Sequence, residues 1–299
     1  MTPASPSSHL SPESLLPAAV KAWESYLRDQ GRSPHTIKAF LSDVNLLVNF
    51  LPADRSLGAL TTAELNRFFL WLEKERDVPC SPKTLARRIT SVKSIFRWIH
   101  QFGVLSVDPA QAVAQRSAIS PLPQVLNDAE VESVLKAADK HRRNDKPDAR
   151  YYALISLLLQ TGVKKSELLG IHLNHLELDP PGGGPLVFIR YASPANRYKE
   201  RKLLLNETWV KAYREYMAQY APKDQLFPWS PRRLEYLLED IGKEAGLDKH
   251  LSFDMCRWTS ALRDFNGGME TDRVRQKLGI SKIQWREIHM KLRQLSGQE

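Results

Sequence analysis

The sequence predicts a mainly α-helical protein with one small β-hairpin or sheet, divided into two domains, and three observations carry that reading. Apolar residues recur at spacings of three and four over most of the chain, the period of amphipathic helices. One stretch breaks the period: Gly182-Gly183-Gly184 leads into Leu186-Val187-Phe188-Ile189, and Arg201-Lys202-Leu203-Leu204-Leu205 can pair with that run across a turn. The third observation is AQRSAISPLPQVLN, from Ala114 to Asn127, whose two prolines and scarce charge mark a linker. The chain has 299 residues, enough for two cores when a domain takes roughly 100–200 residues. The expected division is a disordered lead-in over 1–14, a helical domain over 15–115, a linker over 116–126 and a second domain over 127–299.

In chain order, Val20, Trp23, Tyr26 and Leu27, then Ile37, Phe40, Leu41, Val44, Leu47 and Leu51, form the apolar stripes of a helix pair. Gly31 separates the two helices, and Ser33-Pro34 supplies an N-cap followed by a first-turn proline. A third helix starts at Thr61 or Thr62, because Thr61-x-x-Glu64 has capping-box spacing. The fourth runs from Ser81-Pro82 through Ile99 and ends near Gly103. Beyond the linker, helices begin at Asn127 and include Ala153 to Leu159; after the hairpin the helical period returns at Trp209 and lasts to the end.

Composition narrows the function classes. A hydrophobic content of 42% with 26% charged residues describes a folded chain, and the net charge of +9 favours a polyanionic partner, because Lys and Arg on phosphates release counterions. Cys80 and Cys256 form no CxxC pair, so neither a disulfide framework nor a zinc site is expected, and reduced cytoplasm is the natural compartment. The N-terminal stretch has no apolar run behind a basic start, and 18 consecutive apolar residues occur nowhere, so neither export nor membrane association is expected. His172-x-x-His175 lacks further ligands for a metal site. Gly182-Gly183-Gly184 is no phosphate loop, since no GKS or GKT follows. Trp209, Trp258 and Trp285 are expected to fill core space. No cofactor or metal is implied.

Several strings, in order, resemble the tyrosine recombinases of the Xer and phage-integrase type from about Leu15 to Met290. They are YLRDQGRSPHTIKAFLSDVNLLVNFL, SPKTLARRITSVKSIFRWIHQFGVLSVDPAQAV, LLLQTGVKKSELLGIHLNHLEL, YKERKLLL, LSFDMCRWTSALRDFNGG and VRQKLGISKIQWREIHMKL. The resemblance implies an N-terminal helical, SAM-like core-binding domain that clamps DNA and a C-terminal domain with the recombinase catalytic fold.

It also implies a chemistry: a tyrosine hydroxyl attacks a DNA phosphate while two arginines, a turn lysine and two histidine-type residues stabilise charge and move protons. Set against that pattern, the first arginine position holds Lys164, in Thr161-Gly162-Val163-Lys164-Lys165-Ser166-Glu167-Leu168. Lysine keeps the charge and loses the planar fork. The turn lysine position holds Asn196, the first histidine-type position Phe253, the second arginine Arg257, the second histidine-type position Ile280 and the nucleophile His289. No tyrosine follows Tyr236. Only Arg257 survives among the six roles, so the expectation is a catalytically degenerate member.

DNA-facing residues are expected at Arg32, His35, Lys38, Lys83, Arg87, Arg88, Lys93 and Arg97 in the first domain and at Lys164, Lys199, Arg201 and Arg257 in the second. Residues 257–293 hold nine basic against four acidic side chains, so affinity for DNA can outlast catalysis. Arg257 has two open roles, a phosphate contact or a fold anchor paired with a buried Glu167. The expected function is that of a double-stranded DNA-binding protein with an architectural or regulatory part in recombination or integration, and the expected location is the cytoplasm, at the nucleoid. An active tyrosine recombinase or a second copy of the chain is its candidate protein partner. Two alternatives stay open: a recombinase that uses His289 as nucleophile, and a protein-interaction scaffold that has lost DNA.

Overall fold

The computed structural model describes residues 9–115 and 121–297. The chain divides into two units, residues 1–121 and 122–299.

In the first unit the sequence signals become four helices, α1 (Leu16–Asp29), α2 (Pro34–Phe50), α3 (Thr62–Leu70) and α4 (Pro82–Gln101). Ser33 and Ser81 cap α2 and α4, their hydroxyls accepting from the Thr36 and Thr84 N–H groups at 3.1 and 3.3 Å, with proline in each first turn. The Thr61–Glu64 capping box forms in both directions. Trp23, Leu47, Phe68, Leu85 and Phe96 fill the core between the helices. Past α3 the chain runs on as a π-helical turn, Trp71–Glu75, which buries Leu72.

The lead-in differs from expectation. Residues 1–8 lie outside the described part, but residues 9–14 are tied down: Leu57 N–H donates to Ser14 O at 2.8 Å, Gly58 N–H donates to Pro12 O at 2.7 Å, and Leu10 packs against the core. A short 3-10 turn, Leu57–Ala59, supplies those donors, a pairing that composition does not reveal.

The second unit contains α5 (Asp128–Arg142), α6 (Arg150–Thr161), the single-turn α7 (Lys165–Leu168), strands β1 (Leu176–Glu177), β2 (Leu186–Ile189) and β3 (Arg201–Leu204), then α8 (Glu207–Tyr220), α9 (Pro231–Glu244), α10 (Phe253–Asn266), α11 (Thr271–Lys277) and α12 (Lys282–Leu295). The sheet is antiparallel in the order β1-β2-β3, with Leu186 opposite Leu204 and Ile189 opposite Arg201. β1 was not expected; two residues carry no alternation to read, and pairing with β2 alone makes them a strand. Between β2 and β3 the turn holds a 3-10 helix, Pro194–Lys199.

The C-terminal end of the expected linker belongs to this unit. Leu126 is buried and its N–H donates to Thr259 Oγ1 at 2.9 Å, while Lys249 Nζ donates to Val125 O at 2.7 Å. Residues 116–120 of that linker lie outside the described part. Two cores form. The larger includes Leu158, Trp209, Tyr216, Leu238 and Phe253, and Trp209 Nε1 donates to Ala153 O at 2.9 Å. A smaller one joins Ala261, Val274, Leu278, Ile280 and Leu292, with Trp258, Phe265 and Trp285 packed on it.

Candidate functional site

Glu167, at the end of the first turn of α7, is the hub of the second unit's polar interior. It is only 4% exposed. Its carboxylate accepts two parallel hydrogen bonds from Arg201, both 3.0 Å, one from the Tyr191 hydroxyl, and one from the Lys164 N–H at 2.8 Å. Burial, the largest influence, would raise this carboxyl, but Arg201, Tyr191 and the Lys164 N–H together hold it below its ordinary value. The same carboxylate, after burial, pushes the Tyr191 hydroxyl up to about 12. Arg201 also donates to Lys277 O at 2.5 Å and to Lys199 O at 3.0 Å, so one side chain ties β3 to α7, to the β2–β3 turn and to the end of α11.

These bonds correct two expectations. The partner of Glu167 is Arg201, not Arg257, and Arg201 is no open DNA contact, since its side chain is 9% exposed and its donors point inward. Gly279 makes the arrangement sterically feasible: at φ +59°, its missing side chain leaves the space through which the Arg201 guanidinium passes.

Arg257 acts as an anchor by another route. Its guanidinium donates to the carbonyl oxygens of Gly162 and Leu278, the latter at 2.6 Å, joining the end of α6 to the end of α11. Gly162, the left-handed cap of α6 at φ +60°, lies close to Ser260 and Leu278, which a Cβ there would meet at 3.2–3.3 Å. Among the described residues, two of its five guanidinium N–H donors are so used. Burial pushes Arg257 down to about 10, which leaves it charged at neutral pH.

Lys164 faces the same space. Burial lowers its ammonium and the Arg257 charge lowers it further; Glu167 opposes this, and Lys199 and Arg201 add to the lowering. Lys199 Nζ donates to Asn196 Oδ1 at 2.8 Å, so an ammonium stands at the head of the side chain that occupies the turn-lysine position. Lys164, Lys199 and Arg257 thus gather as three cations beside one carboxylate that a fourth, Arg201, already neutralises. A cleft of about 310 Å³ opens on Lys164 and Arg257 and is lined also by His250, Ser252 and Asp254.

In the first unit α4 presents Lys83, Arg87, Thr90, Ser94 and Arg97 along one outward face, at the spacing of helical turns. Arg88 does not belong to it. Its side chain is 13% exposed and bonds to Cys80 Sγ, with its Nε 3.6 Å from the buried Asp43. Asp43 also accepts from Arg87 and from the Ser91 hydroxyl, the latter at 2.7 Å. Asp43 was missed in the sequence, although a carboxylate among Phe40, Val44 and Leu47 on an apolar stripe signals a buried ion pair. Lys93 likewise turns to the chain itself, donating to Gln111 O and to Val113 O at 3.2 and 2.6 Å. Arg32, His35 and Lys38 are exposed around the start of α2.

Two family profiles match the chain: Phage integrase family over residues 124–292, and Phage integrase, N-terminal SAM-like domain, over residues 20–102. The chain belongs to the phage integrase family. Among similar integrase-family proteins is the tyrosine recombinase XerD of Listeria innocua serovar 6a, 26% identical over 87% of this chain and 89% of its own length. Another is XerD of Caulobacter vibrioides, 30% identical over 70% of each. The fold is that of XerH bound to palindromic difH substrate, at TM-score 0.73 and 19% identity over 95% of this chain and 82% of that one. A lambda integrase dimer bound to a COC′ core site has TM-score 0.71 at 14% identity, covering 91% and 76%.

Seen as an integrase-family site, the cluster brings Lys164, Arg257, Asn196 and Lys199 together. The histidine-type position needs one adjustment. An HxxR spacing counts three residues back from Arg257 to Asp254, and residues three apart share a helix face. Asp254 is exposed in the cleft, whereas Phe253 is buried in the larger core. Ile280 is buried in the smaller core. His289 sits on α12 with its ring stacked on Trp285 at 5.4 Å and edge-on to Phe265 at 5.7 Å, an aromatic setting with no ion pair to it among the described residues. His172 and His175 lie elsewhere, with His172 Nδ1 2.8 Å from Asp224, and among the described residues no group of three or more His, Cys, Asp or Glu is arranged to hold a metal. No helix among the described residues is long and apolar enough to cross a membrane.

Proposed function

We propose that this chain binds double-stranded DNA through backbone phosphates and does not cleave it, acting as an architectural or regulatory member of recombination assemblies. The observation that carries the reading is the contrast between the two halves of the site. The cations remain gathered, while the position of the nucleophile holds His289, its ring packed between Trp285 and Phe265. Phosphate binding needs only positive charge and N–H donors; transesterification also needs a hydroxyl and an acid for the leaving oxygen.

Support comes from three sides. Lys83 and Arg97, with the half-exposed Arg87 between them bonded to Asp43, lie on an outward face in the first unit, the second unit adds its basic C-terminal third, and the fold neighbours include recombinases captured on DNA. Its protein partner, on this reading, is an active relative or a second copy sharing the DNA.

A nicked suicide duplex tests both halves of the claim. The purified chain is expected to shift the duplex, with affinity falling steeply as salt rises, and to leave no protein attached to a 3′ end after denaturation. A covalent adduct that disappears in His289→Phe would replace this reading with catalysis by histidine; absence of any shift at low ionic strength would replace it with a protein scaffold.

A further inference from the structure

We propose that Lys164 acts as an amine nucleophile toward an aldehyde held beside a phosphate group, its substrate class being the ring-opened deoxyribose of an abasic site in duplex DNA. The choice of substrate rests on the DNA-binding reading; the reactivity of the amine does not.

The geometry comes first. The Lys164 side chain lines the cleft with Arg257, His250 and Asp254, and its ammonium has no hydrogen bond or ion pair among the described residues; its backbone N–H is what Glu167 holds. Around it stand Arg257, which donates to the carbonyl oxygens of Gly162 and Leu278, and Lys199, which bonds to a neutral amide, while the opposing carboxylate, Glu167, is already held by Arg201. Like charges in a partly buried cleft favour two outcomes: an anion enters, or one of them gives up its proton. Arginine does not lose its proton under ordinary conditions, but lysine can. Burial and the Arg257 charge lower Lys164 in that sense. A lysine desolvated beside other cations is the recognised setting for Schiff-base chemistry. An arginine at 164 would bind phosphate as well and could not do this.

An abasic site offers both parts of the ligand, a phosphate on each side and an aldehyde carbon between them. The neutral amine attacks that carbon, a C–N bond forms, and the carbonyl oxygen takes up a proton. Asp254 or His250 relays protons as the oxygen leaves as water, giving the imine. One water is released and nothing is oxidised or reduced.

Two arms test it. In the first, pyridoxal 5′-phosphate, an aldehyde bearing a phosphate, is added to the intact chain, reduced with borohydride and mapped by peptide mass spectrometry. Lys164 is expected to be labelled faster than the exposed Lys21 and Lys211, because its ammonium is lowered by burial and by Arg257, and pyridoxal without phosphate is expected to lose that preference. Labelling of Lys164 no faster than the exposed lysines overturns the proposal. In the second arm the chain is saturated with a duplex carrying one abasic site and borohydride is added. A trapped adduct that falls at least about tenfold in Lys164→Arg, measured per duplex bound, supports it; an adduct unchanged in that variant, or none while the duplex is bound, overturns it. Failure to bind the duplex would count against the DNA reading, and the first arm then decides the amine by itself.

Discussion

Arg201 and Gly279 compete for one volume: a Cβ at position 279 would lie 2.4 Å from Arg201 Nη1 and 2.8 Å from its Cζ. Gly279 also holds φ at +59°, where a side chain is strained on its own account. Gly279→Ala is therefore expected to push Arg201 off Glu167 and to cost about 2–5 kcal/mol, the range for breaking a buried ion pair with local strain. Chemical denaturation measures it. A cost below about 1 kcal/mol would mean that the guanidinium reaches Glu167 by another path.

Acid should act through the same pair. Glu167 has a folded pKa below its ordinary value, so its contribution to stability is complete above about pH 4.3, the ordinary glutamate value, and is lost as pH falls through the lower folded value. Glu167→Gln removes this titration, and its unfolding free energy should fall less steeply across the same acid window than that of the parent chain. Equal slopes in the two proteins would place the acid-sensitive group elsewhere. Tyr191 works in the opposite direction: raised to about 12, its hydroxyl stabilises fully below about pH 10, its ordinary value, and that support is lost as pH rises through 12.

The helices and the hairpin were legible because their signals are local: caps at Ser33, Thr61, Ser81 and Asn127, and apolar spacing between them. What stayed hidden depends on contacts distant in sequence. Arg201 and Glu167 are 34 residues apart, and Asp43 and Arg87 are 44 apart; spacing alone cannot tell an arginine that faces solvent from one that faces a carboxylate. Motif alignment located Lys164, Asn196 and Arg257 in one cluster, yet it slipped one residue at Phe253 where no histidine marked the register.

Two arginines of α4 should separate in experiment. Arg88→Ala leaves the buried Asp43 short of a partner and is expected to destabilise the chain by about 1–3 kcal/mol. Arg97→Ala, on the outward face, should leave stability unchanged, weaken duplex binding, and reduce the slope of log affinity against log salt by about one. An unaltered salt slope in Arg97→Ala together with Lys83→Ala would remove this face from the proposed interface.

The cysteines differ in the same way. Cys256 is fully buried, and burial pushes its thiol up to about 12, whereas Cys80 is half-buried. Because the thiolate is the reactive form, iodoacetamide at neutral pH should modify Cys80 in the native chain and reach Cys256 only after denaturation. Mass spectrometry of the intact and digested protein reads both sites. Native-state alkylation of Cys256 at the rate of Cys80 would show that α10 opens without global unfolding.

Lys164 links pH to the proposed binding of DNA. Its ammonium is lowered in the free chain by burial and by Arg257, and a phosphate placed beside it favours the charged form and raises it again. Binding should then draw in a proton wherever the free amine is partly neutral, and affinity should decline as pH rises through the lowered value. Calorimetric titrations in two buffers of different ionisation enthalpy would differ by the protons taken up. Lys164→Arg keeps the charge at all accessible pH, so its binding enthalpy should lose the part of the buffer dependence that belongs to this site. If the parent chain and Lys164→Arg give the same proton uptake, no phosphate lies beside Lys164 in the complex.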